Sequence, residues 1–155
     1  MSESTPQRAQ TLPIQGFANR LVRGLLATPL IAQGIGRRLV TLYVTGRKSG
    51  RRYVIPVAYT RDGDRLLSGS PFGWGRNLRT GEPITIRLRG RLRQADVEVF
   101  ADEDDVVRLY AQMCRDNRVF AGFNKIALDD VGNPSAADLH AAWVAGARAF
   151  RFTPR

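Results

Sequence analysis

From Ile14 the apolar residues Phe17, Ala18, Leu21, Val22 and Leu25 recur at helical spacing, while Gln15, Asn19, Arg20 and Arg23 fall mostly on the other side, until Pro29 ends the run. The pattern predicts a basic amphipathic helix packed on the rest of the fold, with peripheral attachment to a membrane surface as the alternative. Beyond Gly34 and Gly36 the period changes. Residues 39–45 and 52–60 are rich in Val, Ile, Leu, Tyr and Thr, and the glycine-bounded stretch 46–50 between them predicts a hairpin. Asp62-Gly63 has turn chemistry and should send residues 65–69 back antiparallel to the second strand, giving a meander. Residues 74–79 have room for one or two helical turns before Gly81 and Pro83.

Strands then resume. Ile84, Ile86 and Leu88 alternate with Thr85, Arg87 and Arg89, and Gly90-Arg91 should turn into residues 92–100. The apolar positions Leu92, Ala95, Val97 and Val99 change parity once, which predicts a bulge between Leu92 and Ala95. Asp102 is placed to cap a helix carrying Val106, Leu109, Tyr110 and Met113, and Ser135 to open another over 136–147. Residues 149–152 alternate again as a closing strand before Pro154. About six strands, two or three helices and no βαβ alternation predict a mainly β (α+β) fold, an antiparallel barrel with appended helices. Residues 1–13 read as a disordered lead-in, and 14–155 as one domain that includes the N-terminal helix.

Charge and chemistry narrow the choice of function. Lys and Arg number 24 against 14 Asp and Glu, so a formal +10 favours anionic partners. Cys114 has no cysteine to pair with, and with His140 alone it cannot form a structural zinc site, so no metal is expected. There is no Gly-x-Ser-x-Gly, HExxH or Walker loop, so any catalysis would draw its reactivity from a bound cofactor. No apolar run resembles a signal h-region or a membrane span, which predicts a cytoplasmic location.

Two segments stand out. In Thr45-Gly46-Arg47-Lys48-Ser49-Gly50-Arg51-Arg52 the glycines permit close backbone approach, Ser49 and main-chain N–H groups can donate to phosphate, and Arg47, Lys48 and Arg51 add charge. The stretch reads either as an anion cradle or as a charged hairpin tip. Ser70-Pro71-Phe72-Gly73-Trp74-Gly75-Arg76-Asn77-Leu78 combines an aromatic plane with polar donors and suits a flat heteroaromatic ligand, a plug for the barrel, or both.

With Pro56 between these segments and Phe152-Thr153-Pro154 after them, the chain resembles, from about residue 39 to 154, the deazaflavin-dependent nitroreductase and quinone reductase family. The resemblance implies a split β-barrel of the flavin-nucleotide-oxidase type and hydride transfer from reduced coenzyme F-420, a deazaflavin, with FMN as the alternative cofactor. It implies that Arg47, Lys48, Ser49 and Arg51 face the coenzyme's phosphate and acidic tail, and that Pro56, Ser70, Trp74, Asn77 and Leu78 surround the deazaflavin. Phe120-x-x-Phe123 stands where relatives active on nitroaromatics carry two tyrosines, so Phe120 and Phe123 are expected to line an apolar acceptor pocket. Ser70 and Tyr59, with water, are then the nearest proton donors. The expected acceptor is a small quinone-like or other conjugated or nitro compound. A non-catalytic flavin carrier is the second reading. A nucleic-acid binder ranks third, because the arginines between Arg76 and Arg93 lack interleaved exposed aromatics. Barrels of this type often pair as dimers, so a homodimer is expected.

Overall fold

A computed structural model describes residues 38–155. The expected N-terminal helix and lead-in lie outside them. Seven strands form one antiparallel sheet: β1 Leu39–Thr45, β2 Arg52–Ala58, β3 Thr60–Asp62, β4 Arg65–Ser70, β5 Ile84–Leu88, β6 Arg91–Phe100 and β7 Arg148–Pro154. Their spatial order is β2-β1-β5-β6-β7-β4-β3. Strand alternation sets which face is buried. Val40, Leu42 and Val44 point inward while Thr41, Tyr43 and Thr45 point out, and Tyr53, Ile55 and Val57 repeat this on β2.

The expected meander is modified at Tyr59. Residues 52–62 do not make one straight strand that pairs with 65–69. The first part pairs with β1, the chain bends, and the last part, β3, pairs with β4. The Tyr59 N–H donates to the Arg38 carbonyl at 2.9 Å, and the Ser68 hydroxyl donates to the Ala58 carbonyl at 2.8 Å, so the bend joins the two edges of the sheet. The result is an antiparallel split β-barrel.

The expected bulge is absent. Pairing runs without a break from Leu88↔Arg91 to Ile84↔Ala95, and from Ala95↔Pro154 to Phe100↔Ala149. The change of parity arises because Leu92 is on the outer face, 57% exposed, while Ala95 and Val97 are on the inner one. The β5–β6 turn is the pair Arg89 (φ 51) and Gly90 (φ 80), both left-handed as a type I′ hairpin requires.

Three helices follow β6 or precede β7: α1 Glu103–Asp116, α2 Arg118–Phe123 and α3 Ala136–Val144. Each begins at a side-chain cap: Asp102 accepts from the Asp105 N–H, Asn117 from Val119 and Phe120, and Ser135 from Asp138. The expected short helix after Ser70 is a 3-10 turn, Gly73–Asn77. Two apolar cores result. One fills the barrel around Leu42, Ile86, Trp74, Phe150 and Phe152. The other lies between the helices and the backs of β4 and β7, around Leu67, Leu109, Tyr110 and Ala149. Strands β4 and β7 are therefore covered on both faces, whereas among the described residues neither core covers the outer faces of β1, β2 and β5.

Candidate functional site: a groove beside the 45–50 hairpin

Strand register builds the floor of the groove. Tyr43 on β1 is opposite Thr85 on β5, which is opposite Gln94 on β6, and the Gln94 amide donates to the Thr85 hydroxyl at 2.8 Å. Arg52, first residue of β2, lays its guanidinium 4.7 Å from the centre of the Tyr43 ring. One wall is the hairpin, with Gly46, Arg47 and Gly50, and the other is the segment from Asn77 through Arg79 to Pro83. Together they enclose an open groove of ≈ 670 Å³. Its volume is within the range of about 300–1,000 Å³ typical of cofactor and ligand sites.

Asn77 connects the two segments singled out in the sequence. Its side-chain oxygen accepts from the Arg47 N–H at 3.1 Å, and its amide donates to the Trp74 carbonyl at 3.0 Å. The Arg47 guanidinium pairs with Glu82 across the groove, both side chains partly exposed. The hairpin is itself internally bonded. The Gly46 N–H donates to Arg51 at 2.7 Å, Gly50 to Gly46 at 2.8 Å, and Arg51 to the Ser49 Oγ at 3.1 Å. Any anion held here is therefore held chiefly by side chains, although the Ser49 hydroxyl keeps its own proton to donate. Gly46 suits this close packing, since a Cβ on it would stand 2.7 Å from the Ser49 Oγ and displace it.

Of the residues expected at a coenzyme, Arg47, Asn77 and Leu78 line this groove. Lys48, Ser49 and Arg51 are exposed on the hairpin tip above it. Pro56 is half-buried on β2 opposite Thr41, farther along the strand than Arg52. Trp74 is 2% exposed and stacks on Phe150 with ring centroids 5.4 Å apart, so its ring belongs to the barrel core. Ser70 ends β4, buried, with its Oγ accepting from the Phe72 N–H at 3.0 Å. Tyr59 is buried at the barrel seam. Phe120 is buried edge-on to Tyr110 in the helical core, whereas Phe123 is 45% exposed, so the structure does not bring these two phenylalanines together on one pocket. Arg52, from the end of the first segment, and Arg79, from the arginine-rich stretch, line the groove as well, and so do Tyr43, Glu82, Thr85 and Gln94, which the sequence had not singled out. Burial pushes the Cys114 thiol up to about 11 and raises Tyr110 strongly; both belong to the helical core, away from the groove.

No family model and no curated protein matches the sequence. Solved structures similar to it include the following two. One is a candidate 5-nitroimidazole antibiotic resistance protein from Bacteroides thetaiotaomicron, 12% identical, TM-score 0.46, covering 76% of this chain and 73% of that one. The other is a FAD-binding protein from Mesorhizobium loti, 17% identical, TM-score 0.43, covering 83% of this chain and 90% of that one. The split barrel itself rests on the strand order and register given above.

Proposed function

We propose that this protein is an oxidoreductase that binds a phosphorylated, acid-tailed deazaflavin such as coenzyme F-420, or else FMN, in the hairpin groove and passes hydride to a quinone-like or other conjugated or nitro acceptor. The observation that carries the proposal is the groove itself, where the hairpin and the segment after Trp74 converge on one space of ≈ 670 Å³. Its residues fit the group. Tyr43, Leu78, Pro83 and Ile84 offer apolar surface for a flat ring, Thr85, Gln94 and Asn77 offer polar edges, and Arg47, Arg52 and Arg79 supply positive charge for phosphate and carboxylates. Lys48 and Arg51 on the tip extend that charge outward along the path of an acidic tail.

When bound, such a coenzyme supplies hydride chemistry that no side chain of this chain can. The protein's part is to hold donor and acceptor in register and to screen the anion. Ser70 and Tyr59 are buried away from the groove, which favours protonation of the reduced acceptor by solvent, and hence a quinone or enone over an acceptor that needs an enzymatic acid. The same burial is the observation that favours the second reading, a carrier that binds the coenzyme without turnover.

The test is equilibrium titration of the full chain with oxidised F-420 and with FMN at low and high salt, for wild type, Lys48→Ala and Arg52→Ala. Binding that weakens in both variants and with salt supports the assignment. Absence of binding at low salt for both ligands, or affinity unchanged in both variants, refutes it. Menadione reduction with reduced F-420 then separates enzyme from carrier.

A further inference from the structure

A second cleft, of ≈ 240 Å³, lies between the 3-10 turn, the end of β6 and the turn leading into β7. Its floor is apolar, made by Phe72, Val99 and Phe150. Gly75 makes that floor possible, because a Cβ there would stand 2.5 Å from the Phe150 Cζ. Around the floor are Arg76, Arg79 and Arg148, and among the described residues no carboxylate lines the cleft. Elsewhere among the described residues some arginines donate to main-chain carbonyls, as Arg87 does to Gly90 and Arg93 to Arg155, and others pair with acids: Arg38 with Asp116, Arg108 with Asp105, Arg151 with Glu98 and Arg155 with Asp96.

Two of the three guanidiniums in the cleft are tethered to main-chain carbonyls. Arg79 donates to the carbonyls of Arg76 and, at 2.9 Å, Leu78; Arg148 donates to that of Ala147 at 2.7 Å. A guanidinium has five N–H donors, so each keeps free donors while its side chain is already held in place. Such tethering reduces the entropy lost when a ligand is captured. The cleft is distinct from the hairpin groove, with which it shares only Leu78 and Arg79 among its lining residues, and it is too small for a flavin.

We propose that this cleft binds a small organic anion, a compact apolar body of about one ring that ends in a carboxylate or phosphate. The apolar part lies over Phe72 and Val99, with the core residue Phe150 closing the cleft beneath, and the anionic end meets Arg76 and Arg148 through charge-assisted hydrogen bonds. The proposal goes beyond the hairpin reading and stands whether or not a coenzyme binds there.

Calorimetric titration of the full chain with phenyl phosphate, benzoate, inorganic phosphate and benzyl alcohol tests it. Phenyl phosphate or benzoate should bind, and more tightly than either inorganic phosphate or benzyl alcohol. Arg148→Ala and Arg76→Ala should each weaken that binding by about tenfold or more, and Lys48→Ala should leave it unchanged. Arg76 is exposed, so its variant remains informative if loss of Arg148 disturbs folding. Inorganic phosphate matching phenyl phosphate would reveal an adventitious ion only, and benzyl alcohol matching benzoate would reveal mere apolar adsorption. Either result overturns the proposal, as does an absence of binding at millimolar ligand or an unchanged affinity in both arginine variants.

Discussion

Replacing Asn77 by Ala removes two hydrogen bonds at once, one to the Arg47 N–H and one to the Trp74 carbonyl. A protein hydrogen bond contributes about 0.5–1.5 kcal/mol net, less where water can take the lost partner's place. The Arg47 amide is exposed, so its share is at the low end; the Trp74 carbonyl is partly buried and takes the upper end. Together they amount to about 1–2 kcal/mol. For a chain of 155 residues that corresponds to a fall in Tm of about 2–8 °C. Asn77→Asp keeps the acceptor for Arg47 and loses the donor to Trp74, so it should melt between the alanine variant and wild type. Calorimetric melts at neutral pH give these numbers, and hydrogen exchange at the Arg47 amide separates the two bonds. Protection there should drop in the alanine variant and persist in the aspartate one. An alanine variant that melts within about 1 °C of wild type with unchanged exchange at Arg47 would show that Asn77 does not tie the hairpin to the 3-10 turn in solution.

Gly75→Ala drives a methyl group into the Phe150 ring and should destabilise the fold by about 1–3 kcal/mol in urea unfolding, with the Trp74 emission shifted. Cys114, with its thiol pushed up to about 11 by burial, should not react with Ellman's reagent in the native state, and any reaction should follow the rate of unfolding. The backbone N–H of Asn133 holds the Asp129 carboxyl below its ordinary value of 3.8, so this stabilisation is complete above that value and lost as pH falls through the lower folded one. Melting temperature against pH should therefore fall less steeply on the acid side in Asp129→Asn, relative to its own value at neutral pH.

Much of the fold is legible because its strands are half-buried. The alternation in residues 39–45 predicts β1 to the residue, and the helix caps at Asp102 and Ser135 work as their chemistry predicts. Leu92 misleads because a single exposed leucine is indistinguishable in sequence from a core one, and the bulge follows from counting it as buried. Helix α2 is only six residues long, too short for periodicity to reveal, and its signal is the Asn117 cap alone. The groove is harder still. Arg47 and Asn77 stand out by composition, but Tyr43, Thr85 and Gln94 come together only through the β1–β5–β6 register, which no local pattern encodes. Nothing local in the sequence marks Glu82, because its pairing with Arg47 depends on how the 78–83 segment lies along the hairpin.

The position of β7 governs how the barrel can be made. Although it follows every other strand in the sequence, it pairs on one side with β6 and on the other with β4. During synthesis, β1, β2, β5 and β6 are available to associate on the ribosome, and β3 can pair with β4, but the two groups are joined only by the bend at Tyr59 and the 71–83 connection from β4 to β5. Until residues 148–154 emerge, both flanks of the gap are bare strand edges, and the barrel interior lacks Phe150 and Phe152. The β6 flank carries Arg91, Arg93, Asp96 and Glu98, charges that discourage pairing with a neighbouring chain, whereas the β4 flank exposes Leu66 and Leu67. A nascent chain paused before β7 is thus most vulnerable to aggregation along β4, and release from that hazard comes in the last step of translation over these strands.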